Sequence, residues 1–168
     1  MLINAIICKK AKRPRRGATM RVMDVRILAN NILKRSFEEN TPVTNMKLLK
    51  LLYFVFRDYL QKYREMLFVD RFEVWPYGPV LVNVYYEFKR YGARAVSGFY
   101  EDTSGNVFII TETPELTNVI DDVWYRYHDK SGIDLSNITH QEGSAWRKAW
   151  EANKEYLDYE DIINDLTA

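Results

Sequence analysis

From Asp24 onward, apolar positions recur at the three-and-four spacing of helices facing a core. Val25, Leu28, Ala29, Ile32, Leu33 and Phe37 predict an amphipathic helix over about 21–38, with Asp24 in a first turn that favours a carboxylate. A second helix is predicted over 45–64, capped by the Thr44 hydroxyl, with Val43 packing back onto Leu48 and Pro42 separating it from the first. Leu48, Leu49, Leu51, Leu52, Tyr53, Val55, Phe56 and Tyr59 leave it one narrow polar stripe: Lys47, Lys50, Arg57, Asp58, Gln61 and Arg64 or Glu65. So wide an apolar surface packs on several sides, which makes this the central helix.

Phe72 to Trp75 alternates as a short strand does, and Pro76 with Gly78-Pro79 forces a turn. Pro79 suits the first position of a third helix, whose buried face is Val80, Leu81, Val84, Tyr85 and Phe88 and which Gly92 closes. A small β-hairpin is predicted over about 97–111, turning at Asp102 to Asn106. Pro114 opens a fourth helix with Leu116, Val119, Ile120, Val123, Trp124 and Tyr127 inside, ended by Ser131-Gly132. A turn at 135–138 leads to a fifth helix over about 144–153 carrying Trp146 and Trp150 on one face, and 159–166 suits a last acidic helix. The fold class expected is therefore mainly α (α+β), a compact bundle of about five or six helices around the 45–64 helix.

Charge divides the chain. Residues 1–19 hold Lys9, Lys10, Lys12, Arg13, Arg15 and Arg16 and no acid, while the rest has 18 bases against 23 acids, a net of −5. With Pro14 and Gly17 and no helical period, 1–19 reads as a flexible basic arm, or as an over-extended start upstream of Met20 or Met23. Residues 20–168 read as one domain, a length that supports a single core. Leu2 to Ile7 is too short an apolar run, with its bases on the wrong side, for an export signal. No stretch approaches the roughly 20 apolar residues of a membrane span, and Cys8 is the sole cysteine, so a reducing cytoplasm is expected.

The sequence lacks a Gly-rich phosphate loop, a nucleophile elbow and a His-Glu-x-x-His helix. Two histidines and one cysteine do not assemble a zinc set, and Cys8 in a flexible arm has no fixed base to activate it. No metal, cofactor or catalytic residue is expected. His140 precedes the fifth helix, where it can cap or bond backbone; an enzyme centred on it would need Lys50 or Glu142 nearby. The basic arm can hold phosphates by counterion release, which leaves nucleic-acid binding open, although helix two is too apolar to lie in a groove. Trp75, Tyr77, Tyr85, Tyr86, Tyr91 and Tyr100 crowd the middle of the chain and suit either an interface or a half-buried core.

Three segments together resemble the Panacea domain, a family of phage-associated proteins that includes the SocA-like antitoxins. They are Thr44-Asn45-Met46-Lys47-Leu48-Leu49-Lys50-Leu51-Leu52-Tyr53, then Trp75-Pro76-Tyr77-Gly78-Pro79-Val80 with Val84-Tyr85 and Phe88-Lys89, and Thr139-His140 followed by Ser144-Ala145-Trp146. The likeness spans 21 to about 150, and the Trp-x-Tyr-Gly-Pro-Val segment is its most specific part. Pro76 stands where the family often has a basic residue, and Leu81-Val82-Asn83 where another proline is common. The resemblance implies an antitoxin that binds a toxin encoded by a neighbouring gene, with delivery of the toxin to a protease as the alternative and a homodimer as a further association. Lys50, Tyr53, Trp75, Tyr77, Gly78, Pro79, Tyr85, His140 and Trp146 are the motif or partner-binding residues it points to. Tyr53 is expected to face the loop carrying Trp75 and Tyr77, and Lys50 to lie on the polar stripe.

Overall fold

A computed structural model describes residues 4–6, as backbone, and 23–167. The basic positions Lys9 to Arg16, with the nucleic-acid contact expected of them, lie outside the described residues. The chain runs β1 (Asn4–Ile6), α1 (Val25–Glu38), α2 (Asn45–Tyr63), β2 (Glu73–Trp75), β3 (Gly78–Val80), α3 (Val82–Phe88), a 3-10 turn at Lys89–Tyr91, β4 (Phe108–Ile110), α4 (Pro114–Tyr127), α5 (Gly132–Thr139), α6 (Ala145–Glu151) and α7 (Tyr159–Ile163). It is mainly α with a little β.

Local chemistry sets the helix starts. The Asp24 carboxylate accepts from the Arg26 amide at 2.9 Å and so caps α1 from outside, one residue before the helix. Thr44 Oγ1 accepts from the Lys47 amide at 3.2 Å and opens α2. That helix is central: α1, α3, α4, α5 and α7 all pack on it, and Leu48, Leu52, Tyr53, Phe54 and Phe56 are fully buried. Thr113 caps α4, with Pro114 at its first position. No helix among the described residues is long and apolar enough to cross a membrane.

Three details differ from the pattern-based expectation. The stretch expected to be a turn at 135–138 lies inside a complete helix, α5, started by a reciprocal capping box between Ser131 and Asp134, so the described residues hold seven helices. Pro79 does not begin a helix. It pairs with Val74 in the antiparallel β2–β3 hairpin, turned by Pro76 and Tyr77, and α3 starts three residues later at Val82.

Over 97–111, only the Glu101–Val107 bridge is antiparallel. The ladder fails because Asn30 of α1 stands between the two arms: its Nδ2 donates to Tyr100 O at 2.9 Å and to Phe108 O at 3.0 Å, and its Oδ1 accepts from the Tyr100 amide. Asn31 does the same for Ile110, donating to its carbonyl at 2.8 Å and accepting from its amide at 2.9 Å. The strand β4 pairs instead with β1, in parallel, Ala5 opposite Ile109.

Candidate functional site

Lys50 lies under the β2–β3 hairpin with 1% of its surface exposed. Its Nζ donates to the Pro79 carbonyl at 3.0 Å. Removal from water pushes its ammonium down to about 7. Gly78, above it, has φ +99°, and a Cβ there would come within 2.5 Å of Thr139 Oγ1 and 2.9 Å of Lys50 Cε. Only glycine fits both the backbone and the space.

Two further carbonyls of the hairpin are held from other elements. Ser136 Oγ of α5 donates to Tyr77 O at 2.9 Å, and Trp146 Nε1 of α6 donates to Trp75 O at 2.9 Å. The carbonyls of residues 75, 77 and 79 are thus pinned by α6, α5 and α2 in turn. His140 closes the cluster by stacking on Trp146, ring centres 3.7 Å apart, and Trp146 stacks on Trp150 at 5.0 Å. Burial, then the cations Lys50 and Arg147, lower the His140 pKa, so the ring is held neutral. Its Nε2 is buried without a hydrogen-bond partner among the described residues. What holds His140 is ring stacking. Glu142 lines a separate depression with Asn164.

Tyr53 does not face the hairpin. Its side chain turns toward the C-terminal residues instead: its hydroxyl donates to Asp165 Oδ2 at 2.5 Å while its ring packs edge-on against Phe72. Burial, then the Asp165 charge, push that phenol well above its ordinary pKa. Asp165, 1% exposed, also accepts from the Ala145 amide at 3.1 Å and lies 3.9 Å from Arg57 Nη1. Nor is the first part of the polar stripe of α2 a solvent face: Lys47, Lys50 and Arg57 are buried, and exposure returns only toward Arg64 and Glu65. Each finds oxygen, Lys47 on His128 O, Lys50 on Pro79 O and Arg57 on Asp58 and Thr167.

Outside this scaffold stands an aromatic face. Tyr77, at the hairpin turn, is 62% exposed and Tyr86 55%. Trp75 meets Tyr85 edge-on at 4.8 Å, and Tyr85 meets Tyr86 at 5.3 Å. Between the hairpin, α3 and the start of α2 runs a groove of about 280 Å³ lined by Asn45, Met46, Leu49, Trp75, Tyr77, Tyr85 and Lys89 among others. A larger depression of about 570 Å³, between α2, α4 and the C-terminal residues, is lined by Arg57, Asp58, Asp122 and Arg126 and is remote from the hairpin signature.

The structure therefore gathers Lys50, Trp75, Tyr77, Gly78, Pro79, His140 and Trp146, sets Tyr85 on the outer side and Tyr53 apart. Ser136, Thr139 and Asp165 complete the scaffold; of these only Thr139 belongs to a segment of the resemblance, and Ser136 and Asp165 carry no signal in the sequence. Isolated small polar residues give no pattern, though Ser136 and Thr139 do share one helix face.

The family described as "Antitoxin SocA-like, Panacea domain" matches residues 48–147, which run from the first turns of α2 to α6 and include the hairpin and its three anchors. The Antitoxin SocA of Caulobacter vibrioides (strain NA1000 / CB15N) is 28% identical over 129 residues, covering 74% of this chain and 69% of that protein. No solved structure matches.

Proposed function

Because the chain belongs to the SocA-like antitoxin family of Panacea domains, we propose that it neutralises the toxin of a neighbouring gene, in the cytoplasm, by direct contact through the face bearing Tyr77 and Tyr86. The observation that carries this reading is the clamped hairpin, three of whose carbonyls are held from α2, α5 and α6. Immobilising a turn while leaving its tyrosine 62% exposed is of no use to a core. It is of use to an interface, because a rigid aromatic loses little entropy on binding and tyrosine is a favoured anchor.

The test is growth rescue on co-expression with the neighbouring gene, paired with calorimetry of the purified proteins. Tyr77→Ala and Tyr86→Ala are each expected to weaken binding by about tenfold or more while leaving the melting temperature nearly unchanged. Tyr125→Ala, on α4 and 66% exposed, is the control and should bind as the parent does. Undiminished binding by folded Tyr77 and Tyr86 variants would sink the assignment of this face, and failure to rescue growth would sink the antitoxin role itself.

A further inference from the structure

The groove beside Tyr77 carries features that specify what enters it. Sites for whole small-molecule ligands occupy roughly 300–1,000 Å³, so a groove of about 280 Å³ suits one large side chain. Trp75, Tyr77 and Tyr85 offer it ring faces and edges, and Met46 and Leu49 offer apolar surface. Lys89 is the single charged residue of the lining. Its Nζ lies 4.4 Å from the centre of the Tyr86 ring, and among the described residues it has no carboxylate within ion-pair distance. Lys89, Arg90 and Arg94 fall within six residues free of acids, on a domain that is otherwise net acidic.

The lining also holds an unmet acceptor. Asn45 is 5% exposed, and its Nδ2 donates to Tyr85 O at 3.1 Å, which fixes the amide so that Oδ1 is left over. That oxygen has no donor among the described residues and is closed off from solvent. A buried acceptor without a partner is costly, so an occupant that parts the lining and supplies an N–H or O–H is favoured over a purely apolar one.

We infer that the groove receives a single tryptophan or tyrosine side chain from an acidic stretch of the toxin, an inference resting on the reading of this face as the toxin-binding one. The ring enters between Trp75, Tyr77 and Tyr85, its N–H or O–H donates to Asn45 Oδ1, and an adjacent carboxylate pairs with Lys89. Apolar anchoring gives the affinity and the charge pairing gives selection among partners.

Nuclear magnetic resonance titration of the full chain with capped tripeptides tests it. Asp-Trp-Glu should shift the Met46 and Leu49 methyls and the Lys89 amide saturably. Asp-Phe-Glu, lacking the donor, should bind several-fold more weakly, and Asp-Ala-Glu and Lys-Trp-Lys about tenfold more weakly or worse. Lys89→Glu, a change at an exposed position, should reverse the order of Asp-Trp-Glu and Lys-Trp-Lys. Absence of saturable shifts at the groove, or equal binding of the tryptophan and alanine peptides, overturns the inference. So does a peptide preference indifferent to charge. A toxin that is bound through Tyr77 and Tyr86, yet tolerates alanine at each of its own tryptophans and tyrosines, removes the groove occupant and leaves the proposed function standing. A toxin unaffected by the Tyr77 and Tyr86 variants removes the face.

Discussion

At the scale of single residues, the hairpin signature is mostly a solution to a packing problem. Gly78 is required because Thr139 Oγ1 and Lys50 Cε occupy the space where a Cβ would project, and because its φ is +99°. Gly78→Ala combines backbone strain with overpacking and is expected to cost about 2–4 kcal/mol, read as a lower midpoint in denaturant unfolding; a loss below about 1 kcal/mol would show that the site relaxes. Tyr77 is different, since its side chain leaves the protein while its carbonyl is held by Ser136. That separation of a buried backbone role from an exposed side-chain role is why alanine at 77 tests binding. Trp146, 4% exposed and bonded to Trp75 O, is scaffold, and its removal would report on folding before contact.

At the scale of elements, α1 holds β4 through side chains. Asn30 and Asn31 sit on a helix face that otherwise reads as core, and both satisfy strand backbone that has no ladder partner on that side. Loss of either asparagine should cost about 2–3 kcal/mol, the penalty for buried backbone groups left unpaired. The effect has an address: amide hydrogen exchange should accelerate at Tyr100 in Asn30→Ala and at Ile110 in Asn31→Ala, each with little change at the other. Uniform acceleration across the protein would show instead that the asparagines act only on global stability.

At the scale of the whole molecule, the core takes in several ionisable side chains, Lys47, Lys50, Arg57 and Asp165 among them, and Lys50 carries a titratable cost. Lys50 is held at about 7 in the fold against an ordinary 10.5, so between those values the unfolded chain binds the extra proton. Stability therefore rises with pH from about 7 toward 10.5, with a slope of up to about 1.4 kcal/mol per pH unit. It falls as pH drops through that window and is insensitive to Lys50 below it. His140, whose pKa is lowered, adds a separate loss as pH drops through the ordinary histidine range of about 6.5 and below. Lys50→Met, which keeps the stem and removes the charge, should flatten the upper slope and gain on the parent as pH falls from 9 to 7; an unchanged slope in unfolding measured across that range would show that Lys50 is not its source.

Much of this was written along the chain. The helical stripes of α1, α2 and α4, the Thr44 cap, the Pro114 start and the centrality of α2 follow from periodicity and capping, which are local in sequence and survive without knowledge of neighbours. The Trp75 to Val80 segment was visible as a signature together with His140 and Trp146. What only the tertiary structure decided is where polar groups find partners. A polar stripe on a helix looks the same whether water or a carbonyl answers it, and Lys50, Lys47 and Arg57 are answered by backbone from distant elements. The same holds for Asn30, which parts the arms of the expected hairpin beyond the Glu101–Val107 bridge at its tip, and for Tyr53, whose partner Asp165 lies 112 residues away. Hydrophobic burial is dictated by pattern because it needs no specific partner; hydrogen bonding needs one at fixed distance and angle, and that is settled only when the chain has closed on itself.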